Sequence, residues 1–286
     1  MIERIAILGT GLLGTSVGLA LRASGYRGSI VGWNRSAEGA QLALEAGAID
    51  AIAADPLLAA LDSQVVVLAV PIYATLDLME KLAGVLGSEH LVTDVGSTKG
   101  QITEAASRLF NTPERAAFLP GHPMAGKERG GAALGDAELF RNRVWLFTDD
   151  ANWQRSARGA ELAKEWRELV AAMGSRGIDI DPARHDEMVA WVSHLPQLLA
   201  TALSALLQEK VGDAPELKDV GGRALGEMTR LGASPYSMWR DIAATNTEAI
   251  QMALDALEQR LAHLRENLRT PELRDEFEQA NRFRQE

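Results

Sequence analysis

The sequence predicts an α/β fold, a doubly wound parallel sheet followed by an all-α domain, with residues 1–181 in the first part and 182–286 in the second. Three observations carry this reading. Short runs rich in Val, Ile and Leu alternate with stretches of helical period through the first half, the pattern of strands buried on both faces and joined by helices. A glycine fingerprint, Gly9-Thr10-Gly11-Leu12-Leu13-Gly14, follows the first of those runs. Beyond Asp181-Pro182 almost every stretch repeats its apolar residues at helical spacing.

The expected strands are Arg4–Leu8, Ser29–Trp33, Val65–Val70, His90–Asp94, Ala117–Leu119 and Val144–Thr148. Between them, Thr15–Ala23 carries a continuous apolar stripe. Ser36 is suited to cap a helix that ends at Gly47. Asp55-Pro56 is a cap followed by proline at the first helical position, and Tyr73–Leu86 repeats its apolar residues at helical spacing. Asp181-Pro182 is a second cap-plus-proline start. From it runs the stripe Met188, Trp191, Val192, Leu195, Leu199, Leu203, Leu206, where Pro196 is expected to kink the helix because it lacks an N–H and clashes with the preceding turn. Pro215–Leu231, Pro235–Thr245 and Glu248–Leu268 continue as expected helices. Their stripes are wide for a monomeric bundle, so part of this surface is expected to close a homodimer.

A net charge of −10 without a basic cluster excludes the electrostatic footprint of a nucleic-acid binder. With no cysteine, disulfides, thiol catalysis and thiolate metal sites are excluded. The opening MIERIAIL reads as a strand and lacks the layout of a signal peptide. No apolar run approaches the ~20 residues that span a bilayer, so a cytoplasmic protein with no membrane partner is expected.

A GxGxxG run between a strand and a helix is the dinucleotide fingerprint of a Rossmann-type domain. Gly9 permits the tight turn, Gly11 lets the backbone approach a pyrophosphate, and Gly14 lets helix and strand pack closely, while Thr10, Leu12 and Leu13 complete the loop and helix N-terminus. Val70 and Pro71, at the end of a neighbouring strand, are expected to line the same site. The second strand ends in Asn34-Arg35-Ser36, where an NAD site usually places a carboxylate; an Arg there accommodates a 2′-phosphate, so NADP is the expected cofactor and NAD the alternative.

DVGSTKG at 94–100, GHPMAG at 121–126, SHLPQ at 193–197 and TRLGASPYSMWRDI at 229–242 together resemble the prephenate/arogenate dehydrogenase family of tyrosine biosynthesis. The resemblance runs over nearly the whole chain. It implies oxidative decarboxylation of prephenate or arogenate: hydride passes from the carbinol carbon to the nicotinamide, the ring carboxylate leaves as CO2, and the ring becomes aromatic. It also implies His122 as base for the ring hydroxyl, Ser97 as a bond to that hydroxyl that helps orient His122, and Arg230 as the grip on substrate carboxylate. His194 is placed at the substrate's side-chain end, Glu128 at the gate of the pocket, and Trp239 with Arg240 at its wall or at the dimer seam. A hydroxyl and an imidazole on two loops beside a nicotinamide suit proton removal concerted with hydride transfer.

Lys99 could reach phosphate or carboxylate, with a solvated lysine an equal alternative. His90 and His263 are expected at the surface. Adjacent His185, Asp186 and Glu187 point in different directions around a helix, so no metal site is expected there. Gln197 stands where many relatives carry a second histidine, which leaves the grip on the substrate's side chain open. The sequence as read leaves no room for an appended regulatory domain, so any feedback by tyrosine is expected at the active site. The competing readings are another oxidoreductase with a Rossmann and a helical domain, of β-hydroxyacid dehydrogenase or imine reductase type, and a non-catalytic dinucleotide sensor. His122-Pro123-Met124 in place of a Gly-Gly-rich loop argues against the β-hydroxyacid type. Convergence of Ser97, His122 and Arg230 would argue against a sensor.

Overall fold

The computed structural model describes residues 1–148 and 156–285. Its first sheet has six parallel strands in the order β3-β2-β1-β4-β5-β6: β1 (Arg4–Leu8), β2 (Ser29–Trp33), β3 (Ala51–Ile52), β4 (Val65–Leu68), β5 (Leu91–Asp94) and β6 (Ala117–Leu119). The crossovers are α1 (Leu12–Ala23), α2 (Ala37–Glu45), α3 (Pro56–Leu61), α4 (Ile72–Ala83) and α5 (Gly100–Leu109). Alternate residues of β1 divide between two cores. Ile5 and Ile7 meet Val17 and Leu21 of α1 on one face, whereas Ala6 and Leu8 meet Met79 and Leu82 of α4 and Ile102 of α5 on the other. Burial on both faces is why these strands read as unbroken apolar runs.

Val144–Thr148 does not extend this sheet as its place in the alternation implied. It is β8, the centre of a second sheet between β7 (Gly121–Pro123), antiparallel to it, and β9 (Arg176–Ile180), parallel to it. α6 (Ala157–Ala172) packs Trp166 against Trp145, ring centroids 6.4 Å apart, and Phe140 lies 5.2 Å from Trp145 on the same core. His122 therefore sits on a strand, paired with Leu146, rather than on a loop.

The helical half opens with α7 (Pro182–Val189), capped by Asp181 accepting from the Arg184 N–H. A π-helical turn over Ala190–His194 leads into α8 (Leu195–Val211), with Pro196 in its first turn. The proline expected to kink this helix acts through that turn: the missing N–H and the ring clash are absorbed by a widened turn just before it. The result turns His194 inward while Trp191 and Val192 face outward. α9 (Leu217–Thr229), a 3-10 turn (Arg230–Ala233), α10 (Tyr236–Thr245), α11 (Thr247–Glu266) and α12 (Glu272–Gln285) follow.

The run Pro182–Val211 is long and apolar enough, on length and composition, to cross a membrane, contrary to the expectation that no run would be. Its buried side carries His185, Asp186, His194 and Gln197, polar groups bonded to other parts of the protein. Large apolar side chains that face outward are concentrated in this half, among them Val220, Met252, Leu268 and Phe283, each more than 60% exposed.

Candidate active site

At the carboxyl end of β1 the glycine run forms a cradle. Gly9 has φ +106°, and a Cβ there would collide with Ala69 O and Val70 Cγ1 of the neighbouring strand end; at Gly14 it would collide with Gly9 O. Gly11, by contrast, caps α1 and faces open space, with no atom within 4 Å of a would-be Cβ. That opening, at a helix N-terminus, fits a dinucleotide pyrophosphate. Thr10 is buried and donates to Gly39 O at 3.1 Å, and Leu12 and Leu13 turn into the interior, so these three offer backbone rather than side chains. Val70 and Pro71 follow β4 beside the cradle, just past the strand expected to run to Val70, and Pro71 opens α4. Ser36 caps α2, accepting from Gly39 N–H at 3.3 Å, and Asn34 lies against that first turn. Arg35 is exposed and makes no ion pair among the described residues.

The seam between the sheet and the helical half holds a connected set of buried polar groups. The Asp94 carboxylate, fully buried at the end of β5, pairs with Lys99 Nζ and accepts the N–H of Gly96 at 2.7 Å and of Gly121 at 3.1 Å. It thereby fastens the loop bearing Ser97 and the strand bearing His122 to one anchor. Lys99 is not solvated; it is completely buried, and the carboxylate it reaches is the protein's own. From α7, Asp186 accepts the N–H of Lys99 at 2.7 Å and of Gly100 at 2.8 Å, capping α5 across the seam. His185 Nδ1 lies 2.8 Å from Asp186 Oδ1, and its Nε2 lies 2.8 Å from His122 Nδ1. Asn246 bonds Asp186 O at 2.8 Å and approaches His194 Nδ1 at 3.4 Å, while Thr98 and Thr245 hydroxyls meet at 2.7 Å.

Burial sets the charge states. It holds His122 well below the usual histidine pKa, aided by the nearby His185, Lys99 and His194. Burial likewise lowers His185 against the opposing bond to Asp186, and lowers His194 to about 4 against the attraction of Asp186. For Asp186, burial pulls upward but the bonds from His185, Gly100 and Lys99 outweigh it, so the group stays a carboxylate. Unfolded, each histidine titrates near 6.5, so between there and about 4 the unfolded chain binds protons that the folded one refuses. The stability that comes from keeping these three neutral is therefore complete above pH 6.5 and declines as pH falls through that window. The urea midpoint is expected to drop between pH 7 and pH 5, and an unchanged midpoint would count against a neutral cluster.

Of the residues expected to meet substrate, Arg230 forms an ion pair with Glu128, six residues beyond His122. Gln197, the departure from the expected second histidine, donates to Leu231 O at 2.7 Å and accepts from Ser234 at 3.1 Å, pinning the turn that carries Arg230. Trp239 meets His194 edge to face at 5.6 Å, with a buried Nε1–H that has no partner among the described residues; Arg240 pairs with Asp241. Ser97 is half-buried and neither caps α5 nor bonds His122; its hydroxyl makes no hydrogen bond to any described residue. The group that fastens His122 is His185 instead.

A sequence model of the prephenate dehydrogenase nucleotide-binding domain matches residues 17–174, and one of the prephenate dehydrogenase dimerization domain matches residues 181–282. The chain belongs to the prephenate dehydrogenase family. As a member it is an NAD(P)-dependent dehydrogenase. It is 30% identical over 265 residues to the prephenate dehydrogenase of Lactococcus lactis subsp. cremoris, covering 92% of this chain and 70% of that one. Among solved structures it resembles prephenate dehydrogenase from A. aeolicus in complex with hydroxyphenyl propionate and NAD+, with TM-score 0.87, 27% identity, and 100% and 98% of the two chains covered. Synechocystis arogenate dehydrogenase aligns with TM-score 0.77, 29% identity and 99% of each chain covered.

In this dehydrogenase the residues that sequence reasoning passed over are Asp94, His185, Asp186 and Asn246. Asp94 opens the DVGSTKG motif, which by itself gives it no role. In the sequence, His185 and Asp186 with Glu187 suggest only a metal site. The available signal was that a cap-plus-proline start places both within the first turns of a helix entering the domain seam.

Proposed function

We propose that this family member catalyses the oxidative decarboxylation of prephenate or arogenate, prefers NADP, and works as a cytoplasmic homodimer joined through its helical half. Residues 1–181 act as the dinucleotide-binding domain and 182–286 as the substrate-binding and dimerisation domain. The observation that carries the reading is His122: a buried, neutral imidazole in the seam, tied through Asp94 to the loop of Ser97 and to the carboxyl end of β5, in the same sheet as the strands that form the glycine cradle. Bound nicotinamide supplies the hydride acceptor. His122 takes the proton of the ring hydroxyl as the C–H bond breaks, and loss of the ring carboxylate as CO2 then aromatises the ring, whose oxygen recovers a proton. Ser97 bonds the same hydroxyl, its own hydroxyl having no hydrogen-bond partner among the described residues.

Arg230 grips the substrate carboxylate, for which its guanidinium fork is suited, and Glu128 holds that fork until substrate arrives. His194 and Trp239 close the side-chain end. Arg230→Ala is expected to raise KM for the cyclohexadienyl substrate about tenfold or more, since hydrogen bonds to charged groups are worth ~1.5–3 kcal/mol, with a smaller effect on kcat. The dimer follows from the outward apolar residues of the helical half. NADP preference follows from Asn34-Arg35-Ser36, with Arg35 exposed and unpaired among the described residues. The test is a steady-state assay of the purified protein with prephenate and with arogenate, each with NAD and NADP. Turnover of neither substrate would sink the proposal. A higher kcat/KM with NAD would reverse the cofactor assignment, and Arg35→Ala is expected to weaken NADP use about tenfold while sparing NAD.

A further inference from the structure

We infer that His185 and Asp186 are positioning residues that lock His122 with its proton on Nδ1 and its Nε2 bare. This deepens the reading of His122 as the base and rests on it. The direction of each bond is forced. An ionised carboxylate only accepts, so His185 must present Nδ1–H to Asp186 Oδ1 at 2.8 Å. A neutral imidazole has one N–H, so with Nδ1 occupied His185 Nε2 carries a lone pair. Across 2.8 Å that lone pair meets His122 Nδ1, which must then hold a proton to give. His122 Nε2 is left as the free acceptor, the nitrogen able to take a hydroxyl proton.

The alternative, a cationic His185 donating from both nitrogens, would place a second positive group in a pocket that already buries Lys99. The charged and titratable groups facing the pair are Asp94 and Lys99 from the sheet side and Asp186 and His194 from the helical side. The same Asp186 holds the N–H of Lys99 and Gly100. One carboxylate thus sets the imidazole tautomer and the start of the helix that follows Ser97, so the tautomer is fixed only when the two halves are docked. When His122 accepts a proton at Nε2, its Nδ1–H bond to His185 is kept, and Asp186 lies one imidazole away to offset the new charge.

The test reads the tautomer directly. The enzyme labelled with 15N-histidine, free and with NADP+, has five histidines to assign by single substitutions. His122 and His185 are both expected to show a protonated Nδ1 and a bare Nε2. A proton on Nε2 of His122 in the unaltered protein overturns the inference without any variant. His185→Phe, which removes the acceptor, is expected to lower kcat about 10- to 100-fold, the range for partners that orient a functional histidine, with KM nearly unchanged. His185→Gln, whose amide oxygen can take the Nδ1–H, is expected to recover part of that loss. An undiminished kcat in His185→Phe also overturns it. Failure of the base assignment is separate: it shows as full turnover in a His122 variant and leaves the 15N result standing.

Discussion

His122→Asn is expected to lower kcat by about 10²- to 10⁴-fold, the range for losing a positioned general base, while changing cofactor affinity little. Asparagine is the informative replacement because its side-chain NH2 overlays the imidazole Nδ1 and can still donate to His185 Nε2, so the link across the seam survives. What is lost is the Nε2 lone pair alone. Cofactor titration by fluorescence and single-turnover hydride transfer separate the two effects. The glycine cradle lies on the β1–α1 turn, outside the His122 strand, which is why dinucleotide affinity is expected to hold. Retention of full turnover would refute the mechanism.

The parallel sheet was legible because its strands are buried on both faces: Val65–Leu68 has no exposed residue, and such runs admit few other readings. Three of the elements that escaped depend on support from elsewhere in the fold. β7 is Gly-His-Pro, a tripeptide poor in strand propensity that pairs because β8 offers it an edge. β9 is an edge strand with only partial burial, and α5 opens on glycine with its cap supplied by Asp186 from 86 residues away. Propensity reports neither kind of support. In the site, the glycines were readable because a dinucleotide cradle needs them at a fixed local spacing, and His122 because its motif resembles that of a known family. The anchors were not. Lysine is almost always solvated, so Lys99 gave no hint of complete burial. Adjacent helical side chains were expected to diverge, yet His185 Nδ1 lies 2.8 Å from Asp186 Oδ1. The seam surrounds enough of α7 for both to reach it, one meeting His122 and the other capping α5.

Asp94→Ala is expected to cost about 3–5 kcal/mol of unfolding free energy, because it removes one partner of a buried ion pair. The loss should exceed that of an exposed pair such as Arg108 with Glu80, typically worth ~0–1 kcal/mol. After the substitution the Lys99 ammonium has no carboxylate in contact, and the N–H groups of Gly96 and Gly121 lose their acceptor in an interior without replacement. Pairing it with Lys99→Met distinguishes a charge effect from a packing effect. If the penalty is chiefly an uncompensated charge, the double variant is more stable than Asp94→Ala alone by 1 kcal/mol or more in urea unfolding. If the two penalties simply add, the ion pair is not what Asp94 contributes. Restored stability would still not restore catalysis. The carboxylate is the common anchor of the Ser97 loop and the His122 strand, and methionine beside alanine cannot hold either backbone N–H. A double variant that folds well yet turns over slowly is therefore the expected outcome, and it would separate the carboxylate's part in stability from its part in aligning hydroxyl and imidazole.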